Sequence, residues 1–197
     1  MEVMGFVTAG GQSSRMGRDK AWLEVDGRAM IERVIDAIAP VTCNVAIIAN
    51  SDEYSRLGLP LFSDTLSGVG PLEAIRTALR NSRTPRVVLA ACDLPFVTSE
   101  LFAYLLAAAD EETSVVPLDP EGRLEPLCAV YSGSALDELE RFIEEGGRKV
   151  SRLFELVPVR VVQFAEISNL PGADLFFENV NTPEEYLRAA GRVGRSG

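Results

Sequence analysis

The chain has 197 residues, of which 47% are hydrophobic and 24% are charged, and its formal net charge is −10. This length suits one domain with a full core, and the acidic balance argues against the broad basic surface that binds nucleic acid. No apolar run reaches the roughly 18 residues that span a bilayer and no secretory leader is evident, so we expect a cytoplasmic protein that binds neither membrane nor nucleic acid.

Strand-like and helix-like segments alternate in the first half of the chain. Three short runs rich in apolar or β-branched side chains predict strands that are buried on both faces: residues 3–9, 44–50 and 86–92. Apolar side chains at helical spacing predict helices over residues 29–38 and 72–80, and Asp26-Gly27 is a turn signal ahead of the first helix. This alternation is typical of βαβ units and predicts a mainly parallel central sheet in a three-layer α/β/α domain.

The second half of the chain is more mixed. Its apolar patterns predict, in order, a helix over 101–109, strands over 114–118 and 126–131, an amphipathic helix over 135–145 and a strand over 159–164. Thr182 and Pro183 suit the N-cap and first position of a last helix, with Glu185 at the third. Because residues 191–197 lack an apolar pattern, we expect one domain over residues 1–190 and a disordered tail.

Residues 8–20 form a Gly-rich, basic loop that leaves the first predicted strand. Gly10 and Gly11 let the backbone approach a ligand closely, and successive N–H groups in such a loop can bind an anion. Arg15 and Lys20 add the bidentate and compact positive charges that hold triphosphates. The loop has neither the ending of a P-loop nor the spacing of a dinucleotide site. It therefore predicts a phosphate-binding loop of another kind, with a solvated basic loop as the alternative.

Polar residues follow the other predicted strands at their carboxyl ends. Ligands of doubly wound sheets bind beyond these ends, so we expect the loop, Asn50, Asp64 and Asp93 to converge on one cleft. A carboxylate directly after an apolar strand suits Mg²⁺, which prefers hard oxygen ligands, and Asp93 is therefore the predicted metal ligand. The alternatives are local: Asn50 as a strand terminator, Asp64 as a turn former, and Asp93 as the cap of its own turn.

Gly70-Pro71-Leu72 opens the second predicted helix. The first N–H groups and the dipole of such a helix can receive an anion or the edge of a base. Proline at the first helical position is also ordinary helix-start chemistry. The segment is thus a candidate ligand contact or simply the beginning of a helix.

The chain contains no histidine. This excludes a Ser-His-Asp triad, a His-ligated metal and an imidazole base, so a reaction at this site needs a nucleophile that is already ionised. Cys43, Cys92 and Cys128 are odd in number and widely spaced, which fits neither a disulfide framework nor a zinc site. We expect them to be small buried apolar residues.

Five short motifs occur in order between about residue 5 and residue 190. They are Ala9-Gly10-Gly11-x-Ser13-x-Arg15-Met16-Gly17-x-Asp19-Lys20, Gly70-Pro71-Leu72, Cys92-Asp93-x-Pro95-Phe96, Pro126-Leu127-x-Ala129-x-Tyr131 and Asn179-Val180-Asn181-Thr182-Pro183. Together they resemble the motifs of the molybdenum cofactor guanylyltransferase family, the MobA-like proteins. The resemblance implies a Rossmann-like nucleotidyltransferase of the nucleotide-diphospho-sugar transferase type.

The resemblance also implies an activity: transfer of GMP from GTP to the terminal phosphate of molybdopterin with Mg²⁺, releasing pyrophosphate. Arg15, Lys20 and Asp93 would be the catalytic residues and Asp93 the metal ligand, while Asn181 matches a position on the metal and pterin side. The GTP contacts would fall on Thr8, Ala9, Gly10, Gly11, Lys20, Asn50, Asp64, Gly70, Pro71, Leu72 and Asp93. Partners would be GTP, molybdopterin and, transiently, other molybdenum cofactor proteins.

Three other functions remain open at this point. A molybdopterin cytidylyltransferase shares most of these motifs, although such relatives tend to have Ala-Ala-Gly where this chain has Ala9-Gly10-Gly11. A sugar-1-phosphate nucleotidyltransferase is disfavoured because the chain is short. A nucleotide-binding regulator without catalysis is disfavoured because both Lys20 and Asp93 are retained.

Overall fold

The computed structural model describes residues 2–10, 19–64, 70–180 and 185–186, and a seven-stranded sheet runs through them. The strands are β1 (Val3–Thr8), β2 (Glu24–Val25), β3 (Arg28–Ala29), β4 (Asn44–Ile48), β5 (Leu61–Phe62), β6 (Arg86–Ala91), β7 (Ser114–Pro117), β8 (Cys128–Ser132) and β9 (Val159–Val162). Their order in the sheet is β5-β4-β1-β6-β8-β7-β9, and β2 and β3 form a separate hairpin.

The first four strands of this order are parallel, and β8 runs antiparallel to both β6 and β7. Every residue of β6 is buried, and most residues of the inner strands β1 and β4 are buried too. Strands covered on both faces have continuous apolar runs rather than alternation, which explains why these three were readable from sequence.

Helices cover both faces of the sheet. They are α1 (Met30–Ile38), α2 (Pro71–Asn81), α3 (Ser99–Ala108), α4 (Leu136–Glu144), α5 (Val150–Leu153) and α6 (Phe164–Ile167). Helices α1 and α3 pack with Val7 in one apolar cluster, and α2 and α4 pack with Phe6 in another. Because Phe6 and Val7 are adjacent in β1, their side chains point to opposite faces, and the domain has three layers.

The predicted fold class is confirmed, while several boundaries differ from the prediction. Strand β8 begins at Cys128 rather than Pro126, since proline has no N–H to donate to a strand ladder. Strand β9 ends at Val162 because the Gln163 N–H donates to the Glu166 carboxylate, 2.8 Å away, at the start of α6. The start of the last helix at Thr182 lies outside the described residues, and the extent of the domain stays a prediction.

The expectation that all three cysteines are buried is wrong for Cys43. Cys92, just after β6, and Cys128, in β8, are buried, whereas Cys43 is exposed in the turn that leads into β4. Burial raises the pKa of the Cys92 thiol to about 12, so it stays a neutral apolar group. No helix in the part of the chain that the structure describes is long and apolar enough to cross a membrane.

Candidate active site

Four neighbouring strands end at one edge of the sheet, and the predicted site residues follow them. Across the sheet, β5 is followed by Asp64, β4 by Asn50, β1 by Ala9 and Gly10, and β6 by Asp93. Because these strands are parallel, their carboxyl ends meet at the same edge. The structure therefore brings together the strand-end residues that the sequence predicted.

The backbone that leads into the Gly-rich loop is held from both sides. The Ala9 N–H donates to the Ile48 carbonyl at 2.8 Å, and the Cys92 N–H donates to the Thr8 carbonyl at 2.9 Å. Gly10 follows, exposed and with φ at +89°, a conformation that strongly favours glycine. The loop thus leaves a fixed platform through a residue whose backbone conformation favours glycine. Gly11 and Arg15 lie outside the described residues.

Lys20 and Asp93 form an ion pair at the centre of this edge. Lys20 Nζ lies 2.7 Å from Asp93 Oδ2, and the two side chains are 18% and 20% exposed. They are 73 positions apart in sequence, so the pair ties the end of the loop to the end of β6. The Asp93 carboxylate is therefore in a charged contact and is not merely the cap of its own turn.

Lys20 begins a short 3₁₀ turn, Lys20–Trp22, that Asp19 caps. One Asp19 carboxylate oxygen accepts from the Ala21 N–H at 3.1 Å, and the other accepts a short hydrogen bond from the Tyr54 hydroxyl. The Trp22 ring stacks on Tyr54 with centroids 5.4 Å apart. The segment that carries the lysine is therefore attached to the fold through Asp19 and Trp22.

The turn after Asp93 is also fixed by long-range contacts. Arg33 Nε donates to the Pro95 carbonyl at 2.9 Å, and the Arg33 guanidinium lies 5.9 Å from the centre of the Phe96 ring. The Val180 N–H donates to the Asp93 carbonyl at 3.0 Å. This contact ties the segment that ends at Val180 to the turn at Asp93, and Asn181 lies outside the described residues.

Asp64 is linked to the helix that follows the next loop. Its carboxylate accepts a hydrogen bond from the Thr77 hydroxyl at 3.0 Å. Burial raises the pKa of Asp64, the Thr77 hydrogen bond partly opposes this, and the nearby Glu73 charge adds to it. Asp64 is thus half-buried against α2 and is more than an exposed turn former.

Gly70, Pro71 and Leu72 form the start of α2, as predicted. Gly70 is the N-cap, with φ at +60° and ψ at −136°, and Pro71 occupies the first helical position. Leu72 is fully buried in the apolar cluster between α2 and the sheet, which leaves only its backbone for contact with a ligand.

Asn50 is exposed just after β4. The residue before it, Ala49, makes the last backbone contact with β5, because its N–H donates to the Phe62 carbonyl at 2.9 Å.

Glu125 belongs to the same edge, although no sequence pattern indicated it. It lies just before β8. The contact between β8 and β6 begins two residues later, where the Ala91 N–H at the end of β6 donates to the Leu127 carbonyl at 2.7 Å. Burial raises the pKa of Glu125 to about 7, with the charges of Asp119 and Asp93 adding to the shift and Arg123 opposing it. The antiparallel direction of β8 brings this carboxyl to the catalytic edge, and that direction could not be read from the apolar pattern.

A family model described as the MobA-like NTP transferase domain matches residues 5–160. The chain belongs to this family. The predicted family and the predicted nucleotidyltransferase class are therefore confirmed. The matched range of this MobA-like transferase includes Gly10, Lys20, Asp64, Asp93 and Glu125.

Relatives of this MobA-like transferase align over most of its length. A protein of Carboxydothermus hydrogenoformans named "Probable molybdenum cofactor guanylyltransferase" is 34% identical over 180 residues, which are 91% of each protein. The molybdenum cofactor guanylyltransferase of Desulfosudis oleivorans is 30% identical over 198 residues, covering 97% of this chain and 98% of that protein. The crystal structure of molybdopterin-guanine dinucleotide biosynthesis protein A from Archaeoglobus fulgidus superposes with a TM-score of 0.80 and 28% identity, covering 98% of this chain and 99% of that one.

Proposed function

We propose that the protein transfers GMP from GTP to the terminal phosphate of molybdopterin and releases pyrophosphate, as a molybdenum cofactor guanylyltransferase. The observation that carries this proposal is the Lys20–Asp93 pair at the edge where the Gly10 loop leaves the sheet. The family match and the nearly full-length relatives that bear this name support it.

The reaction exchanges one phosphorus–oxygen bond for another. An oxygen of the acceptor phosphate forms a bond to the α-phosphorus of GTP, and the bond from that phosphorus to the bridging oxygen breaks. The electron pair leaves with pyrophosphate. A phosphate monoester has a second pKa near 6, so the acceptor is largely dianionic at neutral pH and needs no general base. This agrees with a chain that contains no histidine.

The chain's own residues would then align the reactants and balance their charge. The backbone around Ala9 and Gly10 receives the nucleotide, and the ammonium of Lys20 neutralises charge that develops on the departing pyrophosphate. Arg15, in the same loop, supplies a second positive charge in this proposal. Asn181 contributes on the acceptor side.

The donor set fits Mg²⁺ as the metal of the reaction. Asp93 offers a partly exposed carboxylate, and Mg²⁺ in phosphoryl-transfer sites is commonly held by one or two carboxylates together with water and substrate phosphates. Within the described ranges, no group of three or more His, Cys, Asp or Glu side chains could hold a metal without such help. When bound, the ion would neutralise phosphate charge and orient the reacting groups.

Guanine is favoured over cytosine because Gly10 stands where the cytidylyltransferases that share these motifs tend to have alanine, and because nearly full-length relatives are named guanylyltransferases. Glu73, which follows Leu72, is buried and pairs with Arg76 at 3.4 Å. This ion pair gives the Glu73 side chain a structural role within α2.

Pyrophosphate release with purified protein, molybdopterin and Mg²⁺ tests the proposal. We expect release with GTP and much less with CTP. Release with CTP alone would overturn the assignment to guanine, and no release with either nucleotide would favour a regulator or another acceptor. Lys20→Ala should slow release by a factor of about 100 or more, since single charge contacts in transition states are worth about 2.7–4 kcal/mol. Exposed Arg141→Ala, on the outer face of α4, is the control.

A further inference from the structure

The 3₁₀ turn that carries Lys20 is short and needs outside support. It spans three residues, and isolated turns of this kind have weaker hydrogen-bond geometry than an α-helix. Its position therefore depends on the groups that hold its first residues. Among the described contacts, the Asp19 carboxylate provides this support through its bond with the Ala21 N–H.

Tyr54 fixes that carboxylate from the other side. It lies in the 3₁₀ segment Asp52–Leu57 after β4, is 1% exposed, and donates its hydroxyl hydrogen to Asp19 Oδ2. Burial, with the Asp19 hydrogen bond adding to it, raises the pKa of Tyr54 well above its ordinary range, so the phenol remains a donor. With both oxygens occupied, the carboxylate plane cannot rotate without losing a hydrogen bond.

Stacking holds the tyrosine ring against the same turn. The Trp22 ring lies on Tyr54 at an angle of 25°, and Arg56 places its guanidinium carbon 3.3 Å from the centre of the Trp22 ring. The ring contacts and the hydroxyl contact therefore restrain both ends of the turn.

We propose that Tyr54 is a positioning residue for catalysis: through Asp19 it holds the turn so that the Lys20 ammonium stays at the Asp93 side of the site. The inference rests on the proposed function for its kinetic readout. A displacement of about 1 Å can cost a factor of about 100 in rate, so partial loosening of this turn should be visible in kcat.

Tyr54→Phe is the decisive change, because it removes the hydroxyl and keeps the stacked ring. We expect kcat for pyrophosphate release to fall about tenfold with KM for GTP changed less than twofold, since the ligand loop itself is unaltered. Tyr104→Phe is the matched control: that hydroxyl also donates to a carboxylate, that of Glu166 in α6, at 3.2 Å. It should leave both constants unchanged.

A double-mutant cycle separates positioning from general stability. If Tyr54 acts through Lys20, Tyr54→Phe should have little further effect on kcat in a Lys20→Ala background. An equal tenfold loss in that background would overturn the inference, as would an unchanged kcat for Tyr54→Phe alone. Asp19→Ala offers a second route, because it removes the acceptors of both the Ala21 N–H and the Tyr54 hydroxyl; it should lower kcat at least as much as Tyr54→Phe.

One readout is independent of turnover. Trp22 is the only tryptophan of the chain, so acrylamide quenching of its fluorescence reports directly on the order of this turn. We expect the quenching constant to rise at least 1.5-fold in Tyr54→Phe and not in Tyr104→Phe. Unchanged quenching in Tyr54→Phe would refute the positioning role even in an inactive protein. Absent turnover of the wild-type chain would instead refute the proposed function alone.

Discussion

The raised pKa of Glu125 predicts how the stability of the fold depends on pH. Its carboxyl titrates near 7 in the folded chain instead of near its ordinary value of 4.5. The folded state therefore binds this proton more tightly than the unfolded state does. Between pH 4.5 and 7 the unfolded chain loses the proton first, so the free energy of unfolding falls as pH rises and levels off above pH 7.

The size of the effect follows from the two pKa values. Each tenfold change in an ionisation equilibrium is worth 1.36 kcal/mol, so the whole shift would correspond to about 3 kcal/mol of lost stability at pH 8. The Glu125 side chain is partly exposed and solvent screens its charge, which lowers the expected loss to about 1–2 kcal/mol. Glu125→Gln removes the ionisation and keeps the shape of the side chain. We expect this variant to differ least from the wild type at pH 5 and its advantage to grow by about 1–2 kcal/mol on going to pH 8.

Urea unfolding of both chains at pH 5, 6, 7 and 8, with EDTA present, measures this difference. Other titrating groups, including Asp64, remain in both chains and cancel in the comparison. Glu121→Gln is the control, because Glu121 is an exposed carboxylate on the same hairpin. Parallel curves for Glu125→Gln and the wild type would refute the reasoning, since the two differ only in this ionisation.

Three further predictions concern the core and the loops. Leu72→Ala should lower the free energy of unfolding by about 2–5 kcal/mol in urea, because the residue is fully buried against Phe6 and its neighbours; a loss below 1 kcal/mol would contradict that packing. Gly10→Ala should lower the free energy of unfolding by about 1–2 kcal/mol and slow GMP transfer, because φ at this position is +89° even though the added Cβ would meet no described atom. Full activity with unchanged stability would refute this conformation. Thr77→Val should raise the pKa of Asp64 further, because it removes the hydrogen bond that favours the ionised carboxylate. A carboxyl ¹³C NMR titration measures this pKa, and an unchanged titration would contradict the 3.0 Å contact.

The central strands were predictable because burial on both faces gives them a distinctive composition. Strand β6 is buried along its whole length and apolar after Arg86, and β1 and β4 are mostly apolar and buried. Short elements lack this signal: β5 has two residues, and the β2–β3 hairpin has two on each side of the turn. The Asp26-Gly27 signal located that turn correctly, but two-residue strands are too short for any periodicity to appear.

The placement of the candidate site residues was predictable to the extent that they follow strand ends. Asp93, Asp64 and Gly10 were found because parallel strands place their carboxyl ends together. Glu125 was missed because its position depends on β8 lying between β6 and β7, which is a long-range pairing. Tyr54 was missed because a buried aromatic residue usually indicates only core, and its bond to Asp19 joins residues 35 positions apart.

Charge balance explains how an acidic chain can present this edge to a polyphosphate. The whole chain carries −10, and the carboxyl groups of Asp93 and Glu125 lie at the edge of the sheet that we propose binds the nucleotide. The Lys20–Asp93 pair is neutral as a whole. The raised pKa of Glu125 keeps its carboxyl partly protonated near pH 7. Binding a metal at Asp93 would leave the Lys20 charge available to the phosphates and would favour ionisation of Glu125. Affinity for GTP without Mg²⁺ should therefore weaken as pH rises from 6 to 8, and this dependence should become shallower in Glu125→Gln.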